Sequence, residues 1–204
     1  MMNPILTVWF KPKATTRYMI EHNKEKLSLI LLMIAGIGGL LNALQETGIN
    51  SVVSPALIAI IVLIGGPVIG LGGYYIGSWL YTVVGGWLDG SGTVQEMRKT
   101  FGLTAVTNLV LTVVVVIYVI IFGELYFQRP ELMEVSVLPG GSAFLLGLIS
   151  FLLGVWNIVI TSKMTGVVHG FSSWKGFLVS IILGIAIALV TIPIVFFITA
   201  YSIL

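Results

Sequence analysis

Cysteine is missing from the 204 residues, which excludes disulfides, Cys-ligated zinc and thiol catalysis. Charge is scarce: 9% of residues, against roughly 25% in a typical soluble domain. Ten basic and eight acidic residues cannot solvate the surface of a soluble chain this long, and 57% of the residues are hydrophobic. A mean hydropathy of +1.09 excludes intrinsic disorder, which needs low hydrophobicity and high net charge. The net charge of only +2 and the lack of a long basic stripe argue against a nucleic-acid partner. Asp89 is the single aspartate, so no aspartyl dyad can form. The two histidines, His22 and His169, lie in separate segments, and no His-Glu-x-x-His, Gly-x-Ser-x-Gly or Gly-Lys-Ser/Thr pattern occurs. The chain therefore reads as non-enzymatic, with no catalytic residue, cofactor or metal site. What is present is long apolar sequence, and the fold class is an all-α polytopic membrane bundle.

The charges sit in short islands. Residues 27–45, 47–88, 100–123, 135–162 and 176–204 carry none, and about 20 apolar residues suffice for a helical span. Five spans follow, near 27–44, 55–88, 101–123, 142–162 and 177–203. The second stretch is long, and Gly65-Gly66-Pro67 is expected to break or kink it, because proline removes a backbone donor and crowds the preceding turn. Cytoplasmic flanks are enriched in Lys and Arg. With five crossings, Lys11, Lys13, Arg17, Lys24, Lys26, Arg98, Lys99, Lys163 and Lys175 fall on one side and only Arg129 on the other. This bias places the N-terminus in the cytoplasm and the C-terminus outside. The first 45 residues do not read as a secretory signal, since the charged region is long and no small-residue cleavage site follows the apolar run.

Residues 1–26 read as a basic, amphipathic segment ahead of a five-helix domain over 27–204. Asn3-Pro4 is a helix start, Ile5, Leu6, Trp9 and Phe10 share a face, Lys11-Pro12-Lys13 ends that turn, and Thr15 or Thr16 is placed to cap a second helix. Such a segment lies in the membrane interface. It is either a recognition element, with Trp9, Lys11, Lys13 and Arg17 as candidate binding residues, or a plain anchor for the first span.

The sequence Asn3-Pro4-Ile5-Leu6-Thr7-Val8-Trp9-Phe10-Lys11-Pro12-Lys13-Ala14-Thr15-Thr16-Arg17 resembles the opening of bacterial members of the Yip family. Two further matches are Gly90-Ser91-Gly92-Thr93-Val94 and Val168-His169-Gly170-Phe171-Ser172 with Lys175. The resemblance implies a five-span helical fold without known enzymatic activity, placed in the bacterial plasma membrane. Eukaryotic members are linked to Rab GTPases and vesicle traffic, and some bacterial members to ABC-type export. His169 and Lys175 join the candidate binding residues, with His169 read either as a ligand or pH-sensing group or as a polar interface residue.

Intramembrane polarity is sparse. Asn108 and Asn157 are its sharpest points, read either as a polar cavity between the third and fourth spans or as helix-to-helix hydrogen bonding. Small residues recur at four-residue spacing: Gly66 and Gly70, Gly73 and Gly77 in the second span, and Gly184 with Ala188 in the fifth. This spacing marks close helix packing and points to the second span as the hub. The outer loop from Glu124 to Gly141 mixes Tyr126, Phe127, Leu132, Met133, Val135, Val137 and Leu138 with acidic residues. The functional expectation is a membrane scaffold or accessory subunit. Its partners are the lipid bilayer and another membrane protein, such as an ABC-type exporter, with homo-oligomerisation left open. The alternative is a small transporter or lipid or peptide translocator, motivated by the broken second segment.

Overall fold

A computed structural model describes residues 2–131 and 135–203. Leu132, Met133 and Glu134 of the outer loop lie outside the described residues. The described elements are helical: α1 (Pro4–Thr7), α2 (Pro12–Glu21), α3 (Glu25–Ala43), α4 (Pro55–Gly72), α5 (Ser78–Trp87), α6 (Val94–Phe101), α7 (Ala105–Phe122), α8 (Gly140–Val168) and α9 (Ser173–Ile203). Five stretches are long and apolar enough to cross a membrane: Glu25–Ala43, Pro55–Trp87, Val94–Phe127, Gly140–Val168 and Ser173–Ile194. Ile60, Ile64, Ile120, Phe151, Leu189 and many like them point outward. So large an exposed apolar surface belongs against lipid.

The helix starts follow from local chemistry. Asn3 Oδ1 accepts the Ile5 N–H at 3.1 Å, with Pro4 at the first helical position. Thr93 and Glu96 form a reciprocal capping box at α6. A 3₁₀ turn over Gly102–Thr104 then feeds α6 into α7.

Three expectations from the sequence are corrected. First, α4 runs unbroken through Gly65-Gly66-Pro67, and the irregularity falls later, in a π-helical turn over Gly73–Gly77. Pro67 sits inside the helix, between Gly66 and Gly70, where the α3 backbone packs directly against α4. The wider turn directs Tyr74 inward, where its hydroxyl donates to Glu25 Oε1 at 2.7 Å. Second, the hub is the first span. α3 lies against α4, α6 and α7, because Gly36 meets the α4 backbone at Gly66 and Gly38 meets Thr112 of α7. Third, Pro12 opens α2 instead of closing a turn, so Thr15 and Thr16 are buried inside that helix. Their hydroxyls reach the Lys11 and Pro12 carbonyls, and Thr15 Oγ1 also lies 3.0 Å from Thr7 Oγ1, tying α2 to α1.

The core is layered along the bundle. At the end rich in Lys and Arg, Val8 and Met19 of the N-terminal segment join Leu31, Met97, Leu103, Ile160 and Met164 in one buried cluster. At the opposite end, Leu41, Ile58, Val115, Tyr126, Phe127 and Leu146 form another. There the Glu46 carboxylate accepts from Ser136 Oγ and from the Val137 N–H, and Gly48 N–H donates to the Phe127 carbonyl at 2.7 Å. The two loops of that end are thereby fastened together.

Candidate functional site

The basic end collects the segments that stand out in the sequence. α1 and α2 fold back over it, with α2 packed on α6 and α8. Beside them, the Gly90-Ser91-Gly92 loop and the Val168–Phe171 turn interlock around one side chain, His169.

His169 is 2% exposed. Gly92 N–H donates to its Nδ1 at 3.3 Å, so Nδ1 carries no proton, and Nε2–H donates to the Tyr81 carbonyl at 3.2 Å. The ring stacks on Phe171 at 5.2 Å between centroids and 7° between planes. Ser91 N–H donates to the His169 carbonyl at 3.2 Å. Three glycines make room for this ring and its turn. A Cβ at Gly85 would stand 2.3 Å from Nε2, one at Gly90 2.3 Å from Nδ1, and one at Gly92 2.7 Å from the Val168 carbonyl oxygen. Burial holds the imidazole below its ordinary pKa, partly opposed by the Tyr81 hydrogen bond and by the Glu96 carboxylate. The ring is thus a neutral fastener between α5, the glycine loop and the end of α8.

Lys175 makes a second fastening. Its Nζ donates to the Leu88 carbonyl at 3.0 Å and approaches Asp89 Oδ2 at 3.5 Å, linking the start of α9 to the end of α5. Among the described residues, no group of three His, Cys, Asp or Glu side chains lies close enough to hold a metal ion.

The remaining candidates are distributed unevenly. Trp9 is half-buried against the core, while Lys11, Lys13 and Arg17 are exposed on the same surface as Phe10. Lys11, Lys13 and Arg17 meet Lys163 of α8 around a cleft of about 480 Å³. Gly66 and Gly70 touch the α3 backbone and Gly77 sits under the Phe101 ring, whereas Gly73 and Gly184 have open space where a Cβ would be. Asn157 Nδ2 donates to the Thr104 carbonyl and to Thr107 Oγ1 at 2.6 Å, joining α8 to the start of α7. Asn108 is exposed and does not join that network.

Gly36, Gly85 and Gly102 escape a reading of the sequence, although each is closely packed. Gly102 receives Ser28 of α3, whose hydroxyl accepts the Gly102 N–H at 2.5 Å. Four-residue spacing within one helix is the sequence signal of such packing, and these glycines pack singly against other elements.

The family model described as the Yip1 domain matches residues 6–195. Neither the curated proteins nor the solved structures yield a match.

Proposed function

The chain belongs to the Yip1 domain family, and from that premise we propose that it is a non-enzymatic membrane scaffold or accessory subunit for another membrane protein. One observation carries the reading. The side chains at the basic end with the strongest chemistry are engaged with backbone: His169 with Gly92 and Tyr81, Lys175 with Leu88. They build a fixed platform that presents Phe10, Lys11, Lys13 and Arg17 outward. A platform of this kind suits binding, and among the described residues it brings together no nucleophile with an acid–base partner.

The partner class favoured is an integral membrane protein such as an ABC-type exporter, in the bacterial plasma membrane. The bias of nine basic residues to one supports an N-terminus in the cytoplasm and a C-terminus outside. The transporter alternative rested on a break at Gly65-Gly66-Pro67; α4 passes through Pro67, and the irregularity of that span lies at Gly73–Gly77.

Affinity purification from mild detergent after chemical crosslinking tests this role. The expected result is recurrent recovery of one membrane protein, weakened by Lys11→Glu with Lys13→Glu. Repeated recovery of the chain alone retires the reading.

A further inference from the structure

Two cavities at the basic end share one residue, Lys163, and their linings differ in kind. The first is the cleft of about 480 Å³ bounded by Lys11, Lys13 and Arg17 of the N-terminal segment and by Lys163 of α8. Four cationic side chains, from parts of the chain more than 140 positions apart, surround one space. None of the four forms an ion pair among the described residues. Like charges gathered this way repel unless an anion lies between them. Phe10, 88% exposed, stands at the cleft's edge as an apolar anchor.

The second cavity is a groove of about 290 Å³ between α8 and α9. Ile158, Val159, Trp174 and Phe177 give it apolar walls, with Lys163 among its lining residues. Lys163 lies five residues before the end of α8, which is about 7.5 Å along the helix axis. Ile158 and Val159 lie one turn deeper. With the basic end of the bundle at the cytoplasmic surface, the cleft lies at headgroup depth and the groove leads from it toward the hydrocarbon.

We propose that Lys11, Lys13, Arg17 and Lys163 bind the phosphate headgroup of an anionic phospholipid, with one acyl chain lying along the α8–α9 groove. The charge selects an anion, and the adjoining apolar wall selects an amphiphile over a free phosphate. The assignment does not rest on the scaffold reading, although both use Lys11, Lys13 and Arg17; lipid binding is read on the purified chain, with no protein partner present.

The test is lipid binding by the purified full chain in mild detergent, followed by native mass spectrometry during titration with phosphatidylglycerol or phosphatidylcholine. One phosphatidylglycerol is expected to bind preferentially. Removing three charges with Lys13→Gln, Arg17→Gln and Lys163→Gln should weaken it about a hundredfold, since each basic residue near an anionic headgroup gives roughly fivefold. A variant with Lys24→Gln, Lys26→Gln and Lys99→Gln, equal in lost charge, should bind as the parent does. A single Val159→Trp, filling the groove without altering charge, should also weaken lipid binding, and this keeps the proposal open to refutation if the triple variant unfolds. Equal binding of the two lipids overturns it, as does equal loss in both charge variants or unchanged affinity in Val159→Trp. Inorganic phosphate forms a separate arm: displacement of the lipid at low millimolar phosphate makes this a free-anion site and overturns the lipid assignment.

Discussion

Gly92 N–H donates to Nδ1 of His169 across 77 positions of sequence, at 3.3 Å. This bond joins two short motifs that carry little information separately. It also fixes the tautomer, so that Nε2–H serves the Tyr81 carbonyl. Replacing His169 with Phe keeps a ring beside Phe171 but leaves the Gly92 N–H without its acceptor, while the Tyr81 carbonyl retains its place in the α5 ladder. An unsatisfied buried group costs about 1–3 kcal/mol. His169→Phe is expected to lower the melting temperature in detergent clearly, and unchanged melting would show that the ring merely fills space.

The same ring predicts a pH dependence. Burial holds the folded imidazole below its ordinary value, which is about 6.5. Below that value the unfolded chain takes up a proton that the folded chain resists, so stability falls with falling pH until the folded pKa is passed. Above about pH 6.5 both states are neutral and the contribution is flat. The parent should lose thermal stability between neutral pH and the folded pKa. His169→Asn should lose less over the same interval, and parallel curves for the two proteins would refute the assignment.

Glycine packing gives a contrast within one residue type. A Cβ at Gly66 would stand 2.5 Å from the Ile37 Cα, and one at Gly70 2.2 Å from the Leu32 carbonyl oxygen, both on the α3 backbone. Backbone cannot move aside as a side chain can. Gly70→Leu must separate α3 from α4 and is expected to cost more than the ~1–3 kcal/mol typical of overpacking. Gly73→Leu and Gly184→Leu point into open space and should stay within about 0.5 kcal/mol. Thermal melts of the three variants in one detergent decide it.

These contrasts mark what the sequence could and could not reveal. The five spans were legible because lipid demands about 20 uncharged residues, a signal carried by composition alone. Small-residue spacing found Gly66 and Gly70 but gave equal weight to Gly73 and Gly184, because spacing does not say which face meets a neighbour. Pro67 reads as a break or kink because the rule concerns local sterics, whereas α4 continues through it with α3 packed along Gly66. The His169 cradle was beyond reach: its partners come from Tyr81 and Gly92, and backbone partners leave no trace in side-chain identity. The sequence also made the second span the hub, whereas Gly36 and Gly38 give that position to α3.

The two intramembrane asparagines should respond differently, for a reason invisible in their spacing. The half-buried Asn157 donates to Thr107 Oγ1 at 2.6 Å and to the Thr104 carbonyl, and its own carbonyl oxygen accepts from Thr161 at 3.2 Å. Interhelical hydrogen bonds of this kind average about 0.6 kcal/mol, with a maximum near 1.7. Asn157→Leu removes them and leaves Thr107 without its amide donor, so a destabilisation toward the upper end is expected. Asn108 has no such network, and its exposed amide gains nothing from an apolar surrounding, so Asn108→Leu should be neutral or stabilising. A double-mutant cycle of Asn157→Leu with Thr107→Val isolates the bond itself. A coupling energy indistinguishable from zero would mean that α7 and α8 are held by packing alone.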